Sequence, residues 1–220
     1  MRRLLLATAT GLWAMGAAPA LAHPHVFIDT GIEVIFDAAG QAVAVRITWT
    51  YDDFVSLSIL TDRGFDADMD GKLSADEKAR LQGFDMHWDP GYPGDTYALL
   101  GSQPLKLGPP EEWTADVVDG KLVSSHLRRI EPAVVPMTEP LIVQSYDPSY
   151  YVQYTIPDPP KVTGRDGCKT ELLEPDLTAA DEQLQATLSE YSADMDVEAD
   201  FPAVGAAFAD EVRVTCADPS

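Results

Sequence analysis

The chain has little positive charge, only two cysteines, and no long apolar run beyond its first twenty residues. It carries 15 Lys+Arg against 36 Asp+Glu in 220 residues. So acidic a surface repels phosphate backbones, which excludes nucleic-acid binding, and it attracts cations. Without a second apolar run, nothing after the leader can span a bilayer as a helix. G-x-S-x-G, H-E-x-x-H and a Gly-rich phosphate loop are all missing, so no common hydrolase, metalloprotease or nucleotide site is spelled out. The reading is therefore a non-enzyme.

What is present begins with Arg2 and Arg3, then an uncharged apolar stretch from Leu4 to Ala18, then Ala20-Leu21-Ala22. This is the order of a secretory leader, ending in a small-x-small cleavage pattern. The stretch is shorter than the ~20 predominantly apolar residues a span needs, which argues against an uncleaved anchor. Residues 1–22 read as a signal peptide, so the mature chain is exported and starts at His23. Losing Arg2 and Arg3 takes the net charge from −21 to −23. In an oxidising compartment Cys168 and Cys216 pair most simply with each other. The alternative, two thiolates on a metal, lacks a nearby histidine or a C-x-x-C spacing.

Residues 25–37 alternate, with Val26, Ile28, Ile32, Val34 and Phe36 on one period. After the turn Asp37-Ala38-Ala39-Gly40 the alternation resumes at Val43, Val45, Ile47 and Trp49, which predicts paired antiparallel strands. Residues 52–63 and 74–83 change to helical spacing around an acidic loop. Asp119-Gly120 predicts a second hairpin turn, and 141–146 and 150–156 read as strands. Asp176 to Tyr191 and Phe201 to Ala209 have helical spacing, followed by a β-branched piece at Val212 to Thr215. The expected fold is α+β: a mainly antiparallel, sandwich-like β domain over 23–175, with an EF-hand-like helix-loop-helix inserted at about 53–83. A helical C-terminal extension over 176–220 is expected to be tied back by a Cys168–Cys216 disulfide.

The acidic loop is Asp66-Ala67-Asp68-Met69-Asp70-Gly71-Lys72-Leu73-Ser74-Ala75-Asp76-Glu77. It matches the EF-hand calcium pattern at each diagnostic position. Asp66, Asp68 and Asp70 supply oxygens at loop positions one, three and five, and Gly71 allows the turn at six. Lys72 offers only its backbone carbonyl at seven, Ser74 acts at nine, and Glu77 closes the shell at twelve. A surface turn rich in Asp and Gly is the plainer alternative. Because one such loop stands alone, it reads as a structural Ca2+ clip and not a sensor.

At the mature start, the free amine and imidazole of His23 can chelate one ion, with His25 on the same side of an extended chain. Such nitrogen donors suit Cu2+, Ni2+ or Zn2+. Pro24 has no N–H to lose, which blocks the square-planar mode through deprotonated backbone nitrogens. A frayed terminus with incidental histidines is the other reading. Asp29, His126 and Asp147 are candidate further ligands, while His87 reads as a local packing residue. Asp147-Pro148-Ser149 reads as a turn whose aspartate holds backbone N–H groups, in preference to a site lined by Tyr146, Tyr150 and Tyr151.

Together, "HPHVFID" at 23–29, "WTYDDFVS" at 49–56, the acidic loop, "YDPSYYV" at 146–152 and Gly167-Cys168 occur in an order that resembles domain-of-unknown-function family 1007. The resemblance covers about residues 22–174. It departs at His87-Trp88-Asp89-Pro90-Gly91, where an aromatic-rich segment is expected. The family is catalogued as the periplasmic component of an uncharacterised ABC-type transport system, with members beside nickel, cobalt or zinc transporters. The resemblance thus implies metal handling, with His23 and His25 as transition-metal ligands and an inner-membrane metal transporter as partner. A largely β chain of this size fits an accessory protein better than a hinge-closing receptor.

Overall fold

A computed structural model describes residues 24–68, 70–190 and 203–218. Among the described residues, ten strands and three helices follow in the order β1 (Val26–Phe36), β2 (Ala42–Tyr51), α1 (Asp53–Asp62), α2 (Ala75–Leu81), β3 (Thr96–Leu100), β4 (Gln103–Val118), β5 (Lys121–Val134) and β6 (Leu141–Ser145). The chain continues through β7 (Val152–Thr155), β8 (Lys161–Thr163), β9 (Cys168–Leu173), α3 (Leu177–Leu188), a 3-10 turn at Gly205–Phe208 and β10 (Glu211–Cys216). The leader and His23 lie outside the described residues.

All ten strands form a single sheet in the order β7-β1-β2-β5-β4-β3-β6-β10-β9, with β8 also beside β1. The β1–β7 and β1–β8 pairs are parallel and the others antiparallel. Alternation works as expected on β1, where Ile28, Thr30, Ile32, Val34 and Phe36 point inward. The β4–β5 turn is Asp119-Gly120, with φ of 51° and 83°, the double positive-φ geometry that suits the twist of a two-residue hairpin.

The expected sandwich is not what forms. β4 and β5, 16 and 14 residues long, run through both halves of the sheet and leave no gap between two layers. Register slips between Leu107 and Pro110 and again between Glu111 and Thr114. Bulges of this kind bend a strand and increase its twist, so the sheet curls around its own core. The core inside the curl is built from Ile47, Leu122, Val143, Val212 and Val214, among others.

The C-terminal part is likewise not helical. Among the described residues only α3 is a regular helix there; Ala180 and Leu184 pack with Val204 and with Phe208 of the following 3-10 turn. Phe201 and Pro202 lie outside the described residues. The chain then enters the sheet as β10, between β6 and β9. Val212 and Val214, from the β-branched piece at the end of the expected helical extension, are buried in the curl beside the backbone ladders of two neighbours, so this part of the extension is a strand. Cys216 at the end of β10 faces Cys168 at the start of β9, and the two form a disulfide.

Candidate functional site

The helix-loop-helix is held by its own polar side chains. Asp52 caps α1 by accepting the Val55 N–H at 2.8 Å on Oδ1, while its Oδ2 accepts the N–H of Phe27 from β1. Ser74 and Glu77 form a reciprocal capping box at the start of α2. Just after α2, Gln82 donates to the carbonyl of Ala115 and accepts its N–H, adding a side-chain rung to β4. Lys78 pairs with Asp116 on the same strand. Leu81 is fully buried beneath.

Between the helices, carboxylate oxygens of Asp66, Asp68 and Asp70 lie within 4.8 Å of one another. Asp66 accepts the Gly71 N–H at 3.0 Å and the Asp70 N–H at 3.3 Å, and Asp70 accepts the Lys72 N–H at 2.8 Å. Gly71 sits at φ 75°, a conformation in which glycine carries no steric penalty. Glu77 is not in the aspartate group. Its Oε1 accepts the Ala67 N–H at 2.9 Å, and its Oε2 accepts the N–H and hydroxyl of Ser74. These bonds, the Ala67 amide first, pull its carboxyl down to about 2. None of the three aspartates has an ion-pair partner among the described residues. Each pair of charges at that separation repels by about 1 kcal/mol even at the dielectric of water, which a divalent cation would reverse. The loop is thus an assembled set of hard oxygen donors.

The histidine candidates do not converge in this way. His25 is exposed, donates its N–H to the Tyr151 carbonyl, and lies with its ring 4.9 Å from that of Tyr151. Asp147 is occupied in its turn, accepting from Ser149 and from the Val152 N–H. His87 bonds the Gly83 carbonyl locally. His126 is in the core, far from any surface role: it is 0% exposed and its ring packs edge-on against Trp49 and Trp88.

Sequence reasoning missed the polar cluster to which His126 belongs. On β5 the inward positions are Leu122, Ser124, His126, Arg128 and Ile130, so a polar stripe faces the core. The Gly/Pro-rich segment before β3 folds over it. Asp85 accepts hydroxyls from Tyr51 (2.8 Å) and Ser124, while Asp95 accepts those of Tyr92 (2.6 Å) and Tyr154 (2.8 Å). Burial raises both carboxyls, partly offset by these donors. His126 is lowered to about 3 by desolvation and then by Arg128 and Arg46, and neither ring nitrogen has a partner. Ser124, His126 and Arg128 at alternate positions were a readable signal.

The family of proteins described as protein of unknown function (DUF1007) matches residues 8–216. The chain belongs to this family. No curated protein matches it. The family match reaches beyond the resemblance at 22–174 and takes in β10 up to Cys216, the strand that completes the curled sheet. Within this DUF1007 protein no described helix is long and apolar enough to cross a membrane.

Proposed function

We propose that this protein is an exported, periplasmic accessory protein of divalent-metal handling, without catalytic activity of its own. In this reading a Ca2+ ion in the acidic loop clamps α1 and α2 against the β4–β5 hairpin, and His23 with His25 takes Ni2+, Co2+, Zn2+ or Cu2+ for an inner-membrane transporter. The observation that carries it is the convergence of Asp66, Asp68 and Asp70 with no cationic side chain paired to them. Calcium prefers six to eight oxygens in a flexible shell; the three aspartates supply part of it, and Glu77 would join only by giving up its bonds to Ala67 and Ser74. The disulfide supports an oxidising compartment. For the histidines, support comes from the donor chemistry at the mature start. The test is calorimetric titration of the leader-cleaved protein with Ca2+, then with each transition metal in saturating Ca2+, repeated on His23→Ala/His25→Ala. Near-stoichiometric transition-metal binding lost in the double variant is expected. Binding that is absent, or unchanged by the substitution, sinks the histidine role.

A second reading, a calcium-stabilised module that docks an envelope protein and leaves the histidines incidental, has one observation in its favour. Phe54 and Leu57 on α1 are 79% and 65% exposed, and the helix starts beside the half-exposed Phe27. Adjacent exposed apolar side chains mark interaction surfaces more often than chance.

A further inference from the structure

Arg128 is 4% exposed and has no carboxylate partner. Its Nε, Nη1 and Nη2 donate to the carbonyls of Gly108, Pro93 and Leu107, and its guanidinium lies 4.9 Å over the Trp88 ring. A guanidinium has five N–H donors, so two remain without a protein acceptor. Desolvation lowers its pKa to about 10, and only Tyr92 counters this. A buried cation held by neutral carbonyls alone carries a desolvation cost that an anion would relieve.

Arg128 lines two cavities, one of ≈ 640 Å³ under the Gly/Pro-rich segment beside Trp88 and one at a gap in the sheet, and the second has the more apolar lining. β3 pairs with β4 only from Ala98–Leu105 to Leu100–Gln103, whereas its ladder with β6 extends back to Thr96–Ser145. Ahead of Ala98 the two strands therefore part, and a cavity of ≈ 310 Å³ opens between them with Arg128 in its lining. Thr96 lines it too; this residue is 2% exposed and its hydroxyl has no partner. The remaining walls are mostly apolar, chiefly Leu99, Leu105 and Leu107, with Gln144 and the stacked rings of Tyr97 and Tyr146, 4.0 Å apart, beside them. The carboxylates that act on Tyr97 are Asp95 and Asp147, both already engaged by hydroxyl or backbone donors. A volume at the lower end of the range for ligand sites, mostly apolar walls, and a lining that holds a buried guanidinium with spare donors and an unpartnered hydroxyl are the features of a small-molecule pocket.

We propose that this cleft between β3 and β4 binds a small carboxylate with an aromatic or branched apolar body, its carboxylate on Arg128 and Thr96 and its body against Leu105, Leu107 and the tyrosine pair. The site is independent of the metal loop. The acidic surface opposes anions at long range, so recognition rests on the desolvated guanidinium at close range.

The test uses the leader-cleaved protein in saturating Ca2+, titrated at constant ionic strength with benzoate and with the neutral isostere benzamide. Binding is followed by 13C-methyl spectra that resolve Leu105, Leu107 and Ala98. Benzoate is expected to shift these methyls and to bind at least tenfold more tightly than benzamide. Thr96→Val keeps the shape and removes an unpartnered hydroxyl, so its melting temperature should be unchanged or higher while benzoate binding weakens at least threefold. Arg128→Lys should lose the preference for benzoate over benzamide. If benzoate leaves the three methyls unmoved, if benzamide binds equally well, or if Thr96→Val binds benzoate like the parent, the cleft is only the gap left by a structural arginine and the proposal fails. Should Arg128→Lys not fold, the benzamide comparison and Thr96→Val still decide it.

Discussion

The Glu77 carboxylate accepts the backbone N–H of Ala67 at 2.9 Å, so the last residue of the acidic loop is already bonded to its second. This bond closes the loop on itself, and the carboxylate oxygens of Asp66, Asp68 and Asp70 lie within 4.8 Å of one another.

This closure has a pH signature. The Glu77 carboxyl is lowered to about 2, below its ordinary value near 4.5. Whatever the closure contributes is present in full above the ordinary value and is lost as pH falls from there through about 2. Amide exchange at Ala67, read by NMR without added metal, should be protected at pH 6 and lose protection at pH 2. Glu77→Gln should show weaker protection at both.

Cation binding should follow charge. Asp66→Asn, Asp68→Asn and Asp70→Asn each remove one hard anionic donor from a group within 4.8 Å. Each is expected to weaken Ca2+ binding by tenfold or more in calorimetry, and adding Ca2+ should raise the melting temperature of the parent more than that of the variants. Equal affinities across the series would mean that the ion, if bound, sits elsewhere.

His126 should make the protein acid-sensitive. Its imidazole is held near 3 in the folded chain, against 6.5 when exposed. The stability tied to its neutral form is complete above 6.5 and is lost as pH falls toward 3, at up to about 1.4 kcal/mol per pH unit. His126→Phe fills the space between Trp49 and Trp88 without orphaned nitrogens. Urea unfolding of this variant should show a flatter profile between pH 6 and 4. At pH 7 its stability should equal or exceed the parent's, by up to about 2 kcal/mol.

Asp95 is a different case, because its removal strands its partners. Asp95→Ala leaves the hydroxyls of Tyr92 and Tyr154 without an acceptor, Tyr154 being buried in the core. A loss of about 3 kcal/mol is expected. Asp95→Asn, which keeps an acceptor, should lose less than half of that in the same denaturation assay.

The Cys168–Cys216 bond closes a 48-residue separation. On the chain-entropy model, Cys168→Ser/Cys216→Ser should cost about 4 kcal/mol in stability, less whatever the native cross-strand packing returns. Because β9 and β10 remain paired through six residue pairs, the fold should persist.

By itself the sequence determined what neighbours along the chain decide. Alternation marked β1 and β2, Asp119-Gly120 marked its hairpin, and the Asp66–Glu77 spacing marked the loop, because each depends on residues a few positions apart. The pairing of the two cysteines followed from there being only two. The tertiary structure alone decided the rest. Whether β4 would divide two layers or bend within one sheet depended on bulges set by its partner β5. Whether the tail would stay helical depended on a vacant place between β6 and β9, which the β-branched Val212 and Val214 fill. The polar face of Ser124, His126 and Arg128 turned inward because Asp85, Trp88, Tyr92 and Asp95 fold over it from a segment with no periodic pattern. Partners so distant in sequence set burial through contacts that no local period can carry.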